Sequence, residues 1–249
     1  MDLQLTGSRV LVTGGTRGIG RAIVEAFAAE GANVEFCARS ADVCATTEAA
    51  VGDQATGTAV DVGDAAALTA WVEAAAGRLG GIDVVVSNVS ALAIGDGEEN
   101  WQASFQVDLM GTVRLVTAAL PYLRESRGSI VAISSVSGRE IDFTAGPYGV
   151  MKAAIVHYVQ GLAYQLAGAG VRANTVSPGN TYFEDGVWQQ IETGQPELFA
   201  TALGLNPTGR MGKPEEMARA VVFLSSPVSS FTSGTNLVVD GALTRGVQL

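Results

Sequence analysis

The sequence predicts a doubly wound α/β domain, and three features carry that expectation. Short, nearly continuous apolar runs of strand length alternate with longer segments of helical periodicity. Strands that are apolar on both sides belong in a parallel sheet covered by helices on both faces, with right-handed crossovers. The first such run passes at once into a helix through a glycine-rich turn, the junction at which doubly wound folds hold phosphates. No Pro/Ser-rich linker, repeat or low-complexity stretch interrupts the 249 residues, so one domain over 1–249 is expected.

The elements follow in order. RVLVT (9–13) reads as a buried strand, and Ile19, Ala22, Ile23, Ala26 and Phe27 form one stripe of the helix after it. Gly31 stops that helix, NVEFCAR (33–39) is the second strand, and GTAVDV (57–62) is the third. Asp64 is placed to N-cap a helix whose inner face carries Leu68, Trp71, Val72, Ala75 and Leu79. Strand IDVVVS (82–87), a helix near 99–124, strand SIVAIS (129–134), a helix near 146–167 and strand VRANTV (171–176) continue the pattern. The stretch 180–210 breaks the rhythm and holds Pro196 and Pro207; it reads as a lid or a poorly ordered insertion.

Composition narrows the function classes. A formal net charge of -10 argues against a nucleic-acid partner, which requires a basic face. Cys37 and Cys44 are the only cysteines, so no disulfide framework or metal-ligand spacing is expected. No apolar run reaches the roughly 18 residues of a membrane span, and the first residues lack a basic, cleavable leader. A soluble, cytoplasmic protein without a membrane partner is the expectation.

The turn TGGTRGIG places glycines at 14, 15, 18 and 20. Its spacing differs from the common dinucleotide fingerprint, yet the physics is shared: glycine admits a sharp turn and close approach to a pyrophosphate, and the helix offers free N–H groups. The tip of the second strand reads the ribose 2′ position. A carboxylate there favours NAD, an arginine the 2′-phosphate of NADP. Here the strand ends in Ala38-Arg39, and Arg17 sits in the glycine turn. NADP(H) is therefore the preferred cofactor, with NAD(H) kept open by Glu35.

ISSVSG (133–138) and YGVMK (148–152) carry the chemistry. Tyr148 and Lys152 are four apart on a helix and share a face. A phenol with its ordinary pKa near 10 is too weak an acid for neutral pH, and a neighbouring ammonium favours its ionised form. Ser135, at a strand end, can bond the substrate oxygen, so that two hydroxyls meet a developing oxyanion. The spacing alone is common; what makes it specific is that Lys152 is one of only two lysines, the other being Lys213.

TGGTRGIG, Asp61, ISS, YGVMK and SPG (177–179) together resemble the short-chain dehydrogenase/reductase family, in order and along nearly the whole chain. The separation of Ser135 and Tyr148 is also the family's. The resemblance implies a Rossmann-type sheet of seven strands and an oxidoreductase of the ketoreductase or alcohol dehydrogenase type, usually a homotetramer or else a homodimer. It further implies catalysis by Ser135, Tyr148 and Lys152. The implied cofactor contacts are Gly14, Thr16, Arg17, Gly18, Ile19, Gly20, Arg39, Asp61, Val62, Asn88, Pro178, Gly179 and Thr181, joined by Tyr148 and Lys152. Asp61 would meet the adenine and Thr181 the carboxamide. Three departures stand out. Ser87-Asn88-Val89-Ser90 replaces the family's N-N-A-G, Asp108 replaces its catalytic Asn, and Asn180-Thr181-Tyr182-Phe183 replaces an aliphatic residue followed by Thr. Asp108 implies an active enzyme with an altered proton relay.

Substrate signals are thinner. Tyr182, Phe183, Trp188, Phe199, Leu203 and Leu205 could close an apolar lid, or bury themselves against the body or a partner subunit. The loop Arg139-Glu140-Ile141-Asp142-Phe143 should border the pocket. No basic patch awaits an acidic carrier protein, so a free small-molecule ketone or secondary alcohol ranks above a carrier-bound thioester. His157, Cys37, Trp71 and Trp101 read as structural. The competing reading is a non-catalytic cofactor-binding redox sensor, which would have no need of Ser135, Tyr148 and Lys152. Epimerisation or dehydration on a related fold is disfavoured because little chain remains for a separate substrate domain.

Overall fold

The structure is a computed structural model that describes residues 2–142, 144 and 146–247. Seven parallel strands form one sheet: β1 (Arg9–Thr13), β2 (Asn33–Ala38), β3 (Ala55–Ala59), β4 (Val84–Ser87), β5 (Ser129–Ile133), β6 (Arg172–Pro178) and β7 (Asn236–Val239). Their order is β3-β2-β1-β4-β5-β6-β7. The chain runs outward in one direction from β1 and in the other from β4. A crevice therefore opens at their C-terminal ends, where such sheets bind ligands. The Rossmann-type expectation holds.

Alternation within each strand divides the core in two. Leu11, Val85, Ile130 and Ala132 face α3 (Ala65–Leu79), α5 (Gly111–Ser126) and α6 (Pro147–Leu166), meeting Trp71, Leu115 and Ile155. Val10, Val12, Val86 and Val131 face α1 (Gly18–Ala29) and α9 (Pro214–Ser225), meeting Ile23, Phe27 and Val221. Both faces are apolar because both are covered. Among the described residues, no helix is long and apolar enough to cross a membrane.

Local signals act where expected. Asp64 accepts from the N–H groups of Ala66 and Ala67 at 2.9 and 3.0 Å, capping α3. Gly80 ends that helix in the left-handed region, at φ 75°. Two further helices, α2 (Ala41–Val51) and α9, are not marked by the sequence reading.

Three boundaries differ from expectation. The third strand ends at Ala59 because β2, its only neighbour, ends at Ala38. Asp61 and Val62 therefore lie beyond the strand, at the sheet's C-terminal edge. The expected helix near 99–124 is α4 (Glu98–Ser104), a π-helical turn over Phe105–Met110, and α5. Within 180–210 the chain folds as α7 (Val187–Gly194) and α8 (Pro196–Leu205), with Pro196 opening the second helix.

Candidate active site

The glycine turn joins β1 to α1 at the crevice. Its Gly14 and Gly15 N–H groups donate to the Cys37 carbonyl at 2.8 and 3.2 Å, tying it to β2. Gly18 and Gly20 show why the geometry calls for glycine. Gly18 has φ 51°, and a Cβ on Gly20 would lie 2.0 Å from the Gly14 carbonyl oxygen. Asn88 clamps the turn from β4, its Nδ2 donating to the Thr13 and Gly14 carbonyls at 3.1 and 3.3 Å. No side chain caps α1, so its first N–H groups remain free for an anion.

The residues expected to select the cofactor differ in their surroundings. Glu35 is 2% exposed in mid-strand, and both its oxygens accept from Arg78 of α3 at 2.7 Å. The carboxylate that kept NAD open is thus engaged away from the strand tip. Arg17 and Arg39 are exposed, and neither forms an ion pair among the described residues. Exposed Asp61 folds back to accept from the Gly63 N–H at 2.8 Å, and Val62 is buried behind it. A turn with an unblocked helix start and two unspent guanidiniums nearby fits a phosphorylated dinucleotide.

On the other side of β4, α6 brings the second group together. Lys152 is 2% exposed; its Nζ donates to the Ile133 carbonyl at 3.1 Å and stands 5.5 Å from the centre of the Tyr148 ring. The same ammonium lies 3.3 Å from Oδ1 of Asp108, which is fully buried in the π-helical turn. Asp108 Oδ2 accepts from the Ala91 N–H at 3.0 Å. Its Oδ1 makes an ion-pair contact and no aligned hydrogen bond. A π-turn swings a side chain off the regular helical path, and here it aims a carboxylate at a buried lysine.

Ser135 follows β5 and caps a short 3-10 turn over Val136–Gly138. Its Oγ accepts from the Ser137 N–H and donates to the Ser137 hydroxyl, both at 3.2 Å. Ser137 in turn donates to Asp142 at 2.6 Å. Gly138 and Gly149, which the sequence reading passed over, let this turn pack on α6. A Cβ on Gly138 would meet the Lys152 carbonyl carbon at 2.7 Å, and one on Gly149 the Ser137 oxygen at 2.9 Å. Glycine here is the price of bringing Ser135 close to the helix of Tyr148.

The remaining residues are placed as follows. Pro178 ends β6, and a Cβ on Gly179 would strike Asp240 at 2.7 Å. Thr181 is buried, its hydroxyl donating to the Gly179 carbonyl at 3.0 Å. The expected aromatic lid divides. Tyr182, Trp188, Phe199 and Leu203 pack on one another with Ala202 and Met211, whereas Leu205 stays exposed. Phe183 turns to the glycine turn, its ring 2.5 Å from where a Cβ on Gly18 would stand. His157 is exposed on α6, Cys37 and Trp71 are core, and Trp101 is half-buried. Phe143 lies outside the described residues.

Comparison with known proteins agrees along the chain. Residues 14–244 match a family model described as enoyl-(acyl carrier protein) reductase. The chain is 42% identical to isoepoxydon dehydrogenase of Penicillium expansum, over 98% of this chain and 97% of that protein. It is 36% identical to L-fucose dehydrogenase of Mus musculus, over 98% and 90%. It is 32% identical to 3-oxoacyl-[acyl-carrier-protein] reductase of Vibrio cholerae, over 97% and 99%.

Proposed function

The chain belongs to the short-chain dehydrogenase/reductase family, an NAD(P)-dependent oxidoreductase acting on CH–OH groups, and on that premise we propose the finer chemistry. The enzyme interconverts a free carbonyl compound and its secondary alcohol, preferring NADP(H), with Tyr148 as acid/base. The observation that carries this reading is the buried Lys152 ammonium, held by the Ile133 carbonyl and standing beside the Tyr148 ring.

The bound nicotinamide supplies or accepts the hydride. Ser135 donates to the substrate oxygen as negative charge gathers there, and Tyr148 gives that oxygen its proton during reduction. In the alcohol direction Tyr148 takes the proton back. Lys152, with Asp108 3.3 Å away, is the next polar group from which that proton can be replaced. Here a carboxylate stands against the ammonium in the relay, and Asp108→Asn should change the shape of the pH–rate profile.

NADP preference rests on the exposed Arg17 and Arg39 and on Glu35 being spent on Arg78. A free substrate is favoured over a carrier-bound one by the net charge of -10, which repels an acidic carrier. Subunit pairing through α5 and α6, and a second contact through β7, is the assembly we expect; sedimentation of the purified protein as a monomer would contradict it. The central test is Tyr148→Phe. It should still bind NADPH while turnover falls by about 10²- to 10⁴-fold. Full turnover in that variant would refute acid/base catalysis by Tyr148.

A further inference from the structure

We propose that Ser137 and Asp142 form a second polar anchor that selects substrates bearing a hydroxyl on the carbon next to the reacting one. The substrate class is then an α-hydroxy ketone, or the vicinal diol formed from it. This inference rests on the carbonyl/alcohol reading of Ser135 and Tyr148 given above.

The argument is an inventory of protons. A carboxylate accepts hydrogen bonds, and a hydroxyl has one proton to give. Asp142 Oδ2 takes the proton of Ser137 at 2.6 Å. Its Oδ1 is fixed by the Thr144 N–H at 2.8 Å and the Thr144 hydroxyl at 2.6 Å, so the carboxylate cannot swing aside. With its proton committed, Ser137 Oγ meets Ser135 only as an acceptor, at 3.2 Å.

Catalysis requires the Ser135 proton on the substrate oxygen. When Ser135 turns to it, Ser137 Oγ loses its donor in a part-buried position 3.2 Å from the Ser135 oxygen. A polar atom stripped of its partner there costs free energy unless the incoming molecule supplies a replacement. The replacement must be a donor, since Asp142 prevents Ser137 from donating elsewhere. It must also lie one hydrogen-bond length from the oxygen that Ser135 holds. Two oxygens on neighbouring carbons, a carbonyl and a hydroxyl, meet both conditions. Ser135 would bind the carbonyl, and the adjacent hydroxyl would donate to Ser137.

The experiment follows NADPH oxidation by the whole protein with acetoin, its methyl ether and butanone. The ether keeps the inductive effect of the oxygen and removes its proton. The parent enzyme should prefer acetoin to the ether by about five- to tenfold in kcat/KM, the worth of one neutral hydrogen bond. Ser137→Ala should bring that ratio close to one, chiefly through loss on acetoin, and Ser137→Thr should restore it. Asp142→Asn, which frees the Ser137 proton, should move the ratio toward the ether.

A flat ratio in the parent would overturn the proposal alone. So would an equal loss on all three probes in Ser137→Ala, because Ser137 would then merely support Ser135. Turnover of none of the three probes by the parent, with NADPH or NADH, would overturn it together with the carbonyl reading.

Discussion

The two ends of the sheet treat their charges in opposite ways. At the N-terminal ends of the strands, Arg172 spends its guanidinium on the carbonyls of Leu224, Ser225, Ser226 and Thr232 and on the Ser229 hydroxyl. Arg9, three strands away along the same end of the sheet, holds both oxygens of Asp83, at 2.6 and 2.8 Å. At the C-terminal ends, Arg17 and Arg39 have no ion-pair partner among the described residues. There Asp108 Oδ1 is buried without an aligned hydrogen bond. Buried polar groups are ordinarily paired, so saturation marks polar residues that build the fold. Incomplete pairing marks the end reserved for something else.

Substitutions at the two ends should therefore separate stability from activity. The largest effect is expected where the two meet, at the buried pair. Lys152→Met should lower kcat by about 100-fold or more. It should also cost about 3–5 kcal/mol of stability, because Asp108 is left buried without its counter-charge. Adding Asp108→Leu should recover most of the stability in denaturant titrations and none of the activity. If the double variant regained turnover, the ammonium would have no chemical role.

Next comes Arg172→Met. Burial holds this guanidinium below its usual pKa, and its loss strips donors from several carbonyls at once. We expect a loss of about 3 kcal/mol. For a chain of this size that is a fall of about 6–12 °C in Tm, with kcat per folded molecule intact.

Asp83→Asn should cost about 2 kcal/mol at neutral pH, as expected of charge-assisted hydrogen bonds. Burial pushes the Asp83 carboxyl up, but the Arg9 bonds outweigh it and hold the group below its usual value. A depressed folded pKa gives stability that is present above the unfolded pKa of about 3.9 and lost as pH falls through the folded one. The gap between parent and variant should thus be constant from pH 5 to 7, in the same buffer series, and close in stronger acid. A gap that widened on acidification would contradict the pairing. The smallest effect belongs to Arg39→Ala. The preference for NADPH over NADH should shrink about tenfold, with Tm unmoved, because the side chain is exposed and has no ion-pair partner among the described residues. An unchanged cofactor preference would remove Arg39 from the 2′-phosphate site.

Much of this was legible without coordinates, for reasons that differ by residue. Strand periodicity and the Asp64 cap are local, so β1, β2, β4, β5 and α3 could be marked directly. Tyr148 and Lys152 share a face because helical spacing says so. The π-turn around Asp108 was not legible, since its apolar pattern resembles that of an ordinary helix. Nor was the end of β3, which depends on where its neighbour stops.

The chain's own order of residues therefore determined the doubly wound class and the glycine turn, and it put Ser135, Tyr148 and Lys152 forward as one candidate set. These signals lie within a turn or two of helix or a single strand. Only the tertiary structure decided which charges were spent. Glu35 is held by Arg78, which lies 43 residues away in the chain. Phe183 leaves its aromatic neighbours for Gly18, and Ser137 gains the Asp142 carboxylate. Sequence lists donors, acceptors and charges, but a side chain's partner is settled by whichever group packing brings within about 3 Å.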